Sequence, residues 1–134
     1  TTSGLKFEQL TFLKKEGLDL TKNKLYKYLK NNGIDWTKIL SRKILPDEAY
    51  YNPITKVFSV YEKKYQATPG SADEKPQTCA FKIWQFKKLG KAIGATTTTY
   101  TYIFNNWFKQ PIYKDMLEYI KSIQGCDYIF YEPK

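Results

Sequence analysis

Histidine is absent from this chain, and only two cysteines, Cys79 and Cys126, are present. The first absence removes Ser-His-Asp and Cys-His nucleophilic sites, imidazole general bases and His-based zinc sites together. The second rules out a structural zinc knuckle and the bridge framework that holds small secreted domains. Cys79 and Cys126 could in principle bridge, but the expectation is two buried free thiols in a reducing cytoplasm. Any catalysis must therefore run on carboxylates, Lys, Tyr or a hard metal ion. Arginine is nearly missing as well: Arg42 is the only one among 22 basic residues. Base-edge reading in DNA leans on Arg forks, so sequence-specific contacts would fall to Asn, Gln, Lys or backbone. Phosphate contact, by contrast, is amply supplied. No apolar run approaches the length needed to cross a bilayer, and the first residues hold neither an initiator Met nor the apolar stretch of a signal peptide. The expectation is a soluble, cytoplasmic protein without a membrane role, with Thr1 starting a trimmed, processed or partial chain.

What is present argues for a folded domain. With 134 residues, 42% hydrophobic and 17% aromatic, the chain has material for one compact core and too little for two. It is read as a single domain over 1–134, with residues 1–18 as an N-terminal arm or short helix. The formal charge of +9 favours polyanionic partners. A Lys-rich surface kept for solubility is the competing explanation.

The patterning yields a coarse order of elements. Asp19 or Thr21 suits an N-cap, Leu25, Tyr28 and Leu29 follow at helical spacing, and Gly33 is a natural stop. Two runs rich in Ile, Val, Tyr and Phe, IDWTKILSRKILPDEAYY and VFSVYEKKYQ, read as strands joined by turn chemistry at Asn52-Pro53, hence an antiparallel hairpin. Residues 67–75 read as a polar loop, and Pro76 suits the first turn of a helix reaching about Gly90. ATTTTYTYIFNNW reads as a strand, PIYKDMLEYIKSIQ as a helix stopped at Gly125, and CDYIFYE as a last strand. The order is α-β-β-α-β-α-β, an α/β (α+β) fold with a mixed sheet flanked by helices, in which the hairpin feeds a βαβ-like crossover.

The chemistry sits in the hairpin. Side chains alternate along a strand, so Phe58, Val60, Glu62, Lys64 and Gln66 share one face, apolar first and polar at the end. The partner strand carries Pro46-Asp47, and the turn is short enough to bring Asp47 beside Glu62. Two carboxylates can hold Mg²⁺ with water and substrate phosphate completing its shell. A neighbouring Lys can orient the attacking water and neutralise charge that develops at phosphorus. An isolated E-x-K is more often a solvated ion pair on a strand face. The preceding Pro-Asp at hairpin distance is what lifts this one.

Pro46-Asp47, fourteen intervening residues, then Glu62-x-Lys64 resembles the signature of the PD-(D/E)XK nuclease superfamily, which includes many type II restriction endonucleases. The element order from about 19 to 132 is similar to that superfamily's restriction endonuclease-like core. The resemblance implies a Mg²⁺-dependent deoxyribonuclease, with Mn²⁺ as a substitute, in which Asp47 and Glu62 ligate the metal and Lys64 positions the water. The leading expectation is an endonuclease of type II restriction kind, with DNA as partner and, for paired strand cuts, a homodimer. The superfamily often adds an acid from its first helix; residues 21–32 hold none, and Glu16 and Asp19 are the weak candidates. Gln66 could hold the water or a phosphate oxygen. Gln77 is favoured over Gln85 as the polar group contributed by the following helix. Arg42, Lys43 and Lys82 are candidate phosphate contacts, although a basic helix face is more often solvated. Asn105 and Asn106 follow a parallel strand, where substrate loops often sit. Trp36, Trp84 and Trp107 could stack on bases, but in a small domain such residues are usually core, and no role is assigned to them. The alternatives are a structure-specific nuclease of junction-resolvase or phage recombination type, and a non-catalytic basic DNA-binding domain.

Overall fold

A computed structural model describes residues 17–67 and 71–132. The arm expected over the first residues falls almost wholly outside this range, as does Glu16. Among the described residues the fold is mixed α/β, with five strands in one mixed sheet and three α-helices. The strands are β1 (Leu18–Asp19), β2 (Glu48–Asn52), β3 (Val57–Lys64), β4 (Thr97–Phe104) and β5 (Cys126–Phe130); the helices are α1 (Asn23–Asn31), α2 (Cys79–Ile93) and α3 (Lys114–Ser122). Strand order across the sheet follows the chain, with β1–β2 and β2–β3 antiparallel and β3–β4 and β4–β5 parallel.

The hairpin expected from Asn52-Pro53 is present, and Asn52 closes it. Its Oδ1 accepts the N–H groups of Ile54 (2.9 Å) and Thr55 (3.2 Å), and its carbonyl accepts Lys56 N–H at 2.7 Å. The first strand is much shorter than the run of β-formers suggests. Residues 36–38 turn into a 3₁₀ helix capped by the Asp35 carboxylate, which accepts Thr37 N–H at 3.0 Å, and strand pairing begins only at Glu48. The segment between is pinned from α1: the Tyr26 hydroxyl donates to the Ile44 carbonyl and accepts Ile44 N–H at 2.9 Å. A local hydrogen-bond competitor thus overrides β propensity.

Helix α2 is displaced from its expected span at both ends. Pro76 lies in a 3₁₀ lead-in, Ser71–Thr78, because a residue without N–H cannot extend an α ladder backwards. At the other end the helix runs through Gly90 to Ile93, and Gly94, in the left-handed region at φ 97°, ends it. Gly90 is a packing residue rather than a stop: a Cβ there would meet Thr98 Oγ1 at 2.3 Å. Gly33 (φ 71°) and Gly125 (φ 91°) do terminate or turn the chain where expected.

All three helices bury their apolar side chains in one cluster with the same sheet face. Leu25 and Leu29 of α1, Ile83, Phe86 and Leu89 of α2, and Met116 and Ile120 of α3 pack with Ala49, Tyr51, Phe58, Val60, Tyr100, Tyr102 and Phe104. Two crossovers of one hand, stepping the same way from β3 to β4 to β5, require α2 and α3 to share that face. An aromatic ladder runs through the core: Phe86–Tyr100–Tyr102–Phe104–Phe108, with successive centroids 4.5–5.6 Å apart. The opposite face carries a smaller cluster of Tyr65 and Ile103 with Tyr61, Ile129 and Tyr131. Cys79 and Cys126 are free and buried, the Cys126 thiol donating to the Cys79 carbonyl at 3.6 Å; burial pushes the Cys126 pKa up to about 12.

Gly90→Ala reverses the usual sign of a helix substitution. Ala normally stabilises a helix interior by about 0.5–1 kcal/mol over Gly, but the Thr98 contact makes the change cost roughly 1–3 kcal/mol here. Denaturant unfolding of the single variant, and of Gly90→Ala combined with Thr98→Ala, checks this: the second change recovers part of the loss.

Candidate active site

The register of the hairpin decides which charged side chains meet. Glu48 pairs with Tyr61 and Ala49 with Val60, so Asp47 stands beside Glu62 just past the end of β2. Ala49, Tyr51, Phe58 and Val60 belong to the helix-covered core, and the period of two puts Asp47, Glu62 and Lys64 on the same face. In the parallel pairing, Glu62 lies opposite Tyr102 and Lys64 opposite Phe104. The core face therefore grades into a charged end.

Each charge has a neighbour that orients it. Asp47 Oδ2 accepts the backbone N–H of Lys63 at 3.0 Å, replacing the ladder bond lost where β2 begins, and Lys22 Nζ stands 3.8 Å from Oδ1. Lys64 Nζ is 3.3 Å from Glu62 Oε2, with both side chains largely shielded. Burial holds the Glu62 carboxyl above the usual carboxylate range, and the Asp47 charge pushes the same way; Lys64 and Lys82 oppose. Burial raises the pKa values of the Tyr100 and Tyr102 hydroxyls; the Glu62 charge is the next cause for Tyr100 and a lesser one for Tyr102, where a hydrogen bond with Tyr100 opposes the shift. Both tyrosines are neutral at any physiological pH and unable to act as bases.

Two clefts share Glu62, and a third adjoins the second of them at Lys43. One of about 260 Å³ is lined by Asp47, Glu62, Lys64, Gln66 and Lys75 among others. A second, about 480 Å³, takes Glu62 as one wall with Arg42, Lys43, Lys82 and Gln85. The third and largest, about 840 Å³, runs along α1 past Lys27 and Lys30 and shares Lys43 with the second. Glu62 and Lys43 thus link a string of basic concavities that leads to the carboxylates.

The structure brings together Asp47, Glu62, Lys64 and Gln66, and places Arg42, Lys43 and Lys82 in the adjoining cleft. Gln77, favoured from the sequence, is exposed in the 3₁₀ lead-in. Gln85 is the buried one, and its Oε1 has no hydrogen-bond partner. Asn105 is engaged with the backbone instead of facing outward: its amide donates to the Gln66 carbonyl at 2.6 Å and its Oδ1 accepts Gln66 N–H at 3.2 Å. Asn106 is exposed, with its N–H donated to Glu132 Oε2 at 2.8 Å. Asp19 caps the turn into α1, accepting Thr21 N–H at 3.0 Å and pairing with Lys24 at 2.9 Å. Tyr100 and Tyr102 flank the site without having been singled out from the sequence, where they read as ordinary strand residues.

For a metal, the donor set is two carboxylates. Among the described residues no group of three or more His, Cys, Asp or Glu is gathered to hold one. The pair nonetheless fits a hard ion that keeps waters and takes substrate oxygens. Burial first and the Asp47 charge second raise the Glu62 pKa, and a cation between the carboxylates would offset both.

No family model, curated protein or solved structure matches the chain. Among the described residues, no helix is long and apolar enough to cross a membrane.

The upward shift of Glu62 has a signed consequence for stability. The folded state holds this proton more tightly than the unfolded chain, whose Glu titrates near the ordinary 4.5. Below that pH both states are protonated; as pH rises through the folded value, the charged carboxylate destabilises the fold. Glu62→Gln is expected to raise Tm at pH 7.5 and to change it little at pH 4, measured by thermal denaturation without divalent ions. An unchanged or lower Tm at pH 7.5 overturns the electrostatic account.

Proposed function

We propose that this chain is a Mg²⁺-dependent deoxyribonuclease, with Mn²⁺ able to substitute, hydrolysing phosphodiester bonds with Asp47, Glu62 and Lys64. One observation carries the reading: two carboxylates and an ammonium stand together at the end of one sheet face, in a cleft joined to basic concavities. The likeness of Pro46-Asp47…Glu62-x-Lys64 to the PD-(D/E)XK pattern supports it. Asp47 and Glu62 are the residues that would hold the ion. Lewis-acid polarisation of the scissile phosphate is the chemistry that such an ion supplies there.

The chain's own groups do the remainder. Lys64, now paired with Glu62, turns to the attacking water and to the charge that grows on the phosphoryl oxygens. Arg42 and Lys82 take neighbouring phosphates of the strand. Asp47 is anchored through Oδ2 by the Lys63 N–H, with Lys22 3.8 Å from its second oxygen. The apolar core under Glu62 lowers the local dielectric and strengthens each of these interactions.

Two kinds of nuclease suit this machinery. A type II restriction enzyme would act as a homodimer, since cutting both strands needs two sites. A structure-specific nuclease draws support from the cleft walls, which offer lysines and one arginine for phosphates and few forks for base edges. The tight Glu62–Lys64 pair also favours a non-catalytic DNA-binding domain, in which the two charges simply neutralise each other.

Plasmid and branched DNA incubated with Mg²⁺ or EDTA separate these readings. Mg²⁺-dependent cleavage is expected, with Lys64→Ala and Asp47→Ala each reducing it by roughly 10²-fold or more while DNA binding persists. Normal cutting by Lys64→Ala refutes the site. Absence of any Mg²⁺-dependent product leaves the binding domain.

A second check needs no substrate. Millimolar Mg²⁺ is expected to raise the Tm of the wild type by mass action and to leave Glu62→Gln unaffected; equal shifts in both proteins place the ion elsewhere.

A further inference from the structure

Helix α2 carries two large aromatic side chains that its packing does not need. Its core face is filled by Cys79, Ile83, Phe86 and Leu89. Phe81 and Trp84, on the outward stripe at i and i+3, remain 57% and 54% exposed. They stack on each other, centroids 5.9 Å apart and planes 24° apart, and Lys88 Nζ sits 4.0 Å from the Trp84 ring centroid. Of the tryptophans, Trp36 and Trp107 are half-buried against the core; only Trp84 opens to solvent.

Position gives the pair its meaning. Phe81 lines the same cleft as Glu62, Arg42, Lys82 and Gln85. The lip of that cleft is thus aromatic, its walls cationic and its floor the candidate metal-binding carboxylate. We propose that Phe81 and Trp84 form a stacking platform for an unpaired base. On this view the substrate is DNA with a single-stranded segment, such as a flap, gap or branch, in preference to continuous duplex. The proposal rests on the nuclease reading for what happens at Glu62, but its binding test does not require cleavage.

In a duplex, each base hides both π-faces against its neighbours, so an aromatic platform finds nothing to stack on. A single-stranded base offers its face freely, and stacking on an aromatic side chain is insensitive to sequence. This suits a chain nearly devoid of the Arg forks used for base-edge readout. A base arriving on Trp84 releases the Lys88 ammonium to the adjoining phosphate.

The test is equilibrium binding of fluorescently labelled oligonucleotides, single-stranded and blunt duplex, in EDTA. Wild type, Trp84→Ala, Trp84→Phe and Phe81→Ala are compared at one fixed salt concentration, their folding checked by circular dichroism. Trp84→Ala is expected to weaken single-strand binding by about 5- to 100-fold and duplex binding much less, with Trp84→Phe retaining most of the affinity. Equal losses for both DNA forms, or none, overturn the platform while leaving a DNA-binding nuclease standing. Binding of neither form by the wild type removes the nucleic-acid reading and the platform together. Conversion of a wild-type dimer to monomer by Trp84→Ala, read by sedimentation, reassigns the pair to self-association and also overturns the proposal.

Discussion

The pairing register of β2 against β3 is the constraint on which the candidate site depends. With a side-chain period of two, a slip of one residue would carry Glu62 and Lys64 to the other face and bury Tyr61 and Lys63 in their place. Apolar burial holds the register. Ala49 and Tyr51 on one strand, Phe58 and Val60 on the other, are fully or almost fully enclosed, and any slip would expose them. The Asn52 turn and the bond from Lys63 N–H to Asp47 close the two ends. The charged triad is where it is because the hydrophobic part of the same hairpin can pack in one way only.

That placement sets function against stability. Glu62 lies near the end of β3, after the buried core-facing Phe58 and Val60 and opposite Tyr102 on β4. The environment that would strengthen its grip on a cation also makes its bare charge unfavourable. Lys64 and Lys82 offset part of this, and Asp47 adds to it. A pair of carboxylates held in this way is poised to gain from a divalent ion more than an exposed pair would.

Some of the basic side chains border connected clefts. Lys27 and Lys30 on α1, Lys43 on the following segment and Lys82 on α2 border clefts that share residues and end at Glu62. The Tyr26 hydroxyl, bonded at both ends of Ile44, fixes the segment bearing Arg42 and Lys43 between the helix and the sheet. The helix that contributes the core contacts Leu25 and Leu29 thus also aligns a cationic wall. Beyond it, Phe81 of α2 lines the cleft and stacks on the exposed Trp84.

Much of this architecture was legible from local chemistry. Asn52-Pro53 announced the hairpin, alternation along 58–66 announced the shared face of Glu62 and Lys64, and Gly33 and Gly125 marked helix ends through their tolerance of positive φ. Those signals act over a few residues, where sequence spacing and spatial proximity coincide. Other features depended on partners far along the chain. Gly90 reads as a stop until Thr98 is seen against it; the β-formers of 37–45 read as strand until Tyr26 claims Ile44. Asn105 reads as a contact residue until Gln66 occupies its amide. The choice between Gln77 and Gln85, and the exposure of Trp84, turned on which side of α2 the core occupies. By itself the sequence determined the residues available for chemistry, no imidazole and a surplus of lysine, and the pairing that sets Asp47 beside Glu62. Only the tertiary structure decided which polar groups face the cleft and which tie the backbone together, because burial is a property of what packs against a residue and not of the residue.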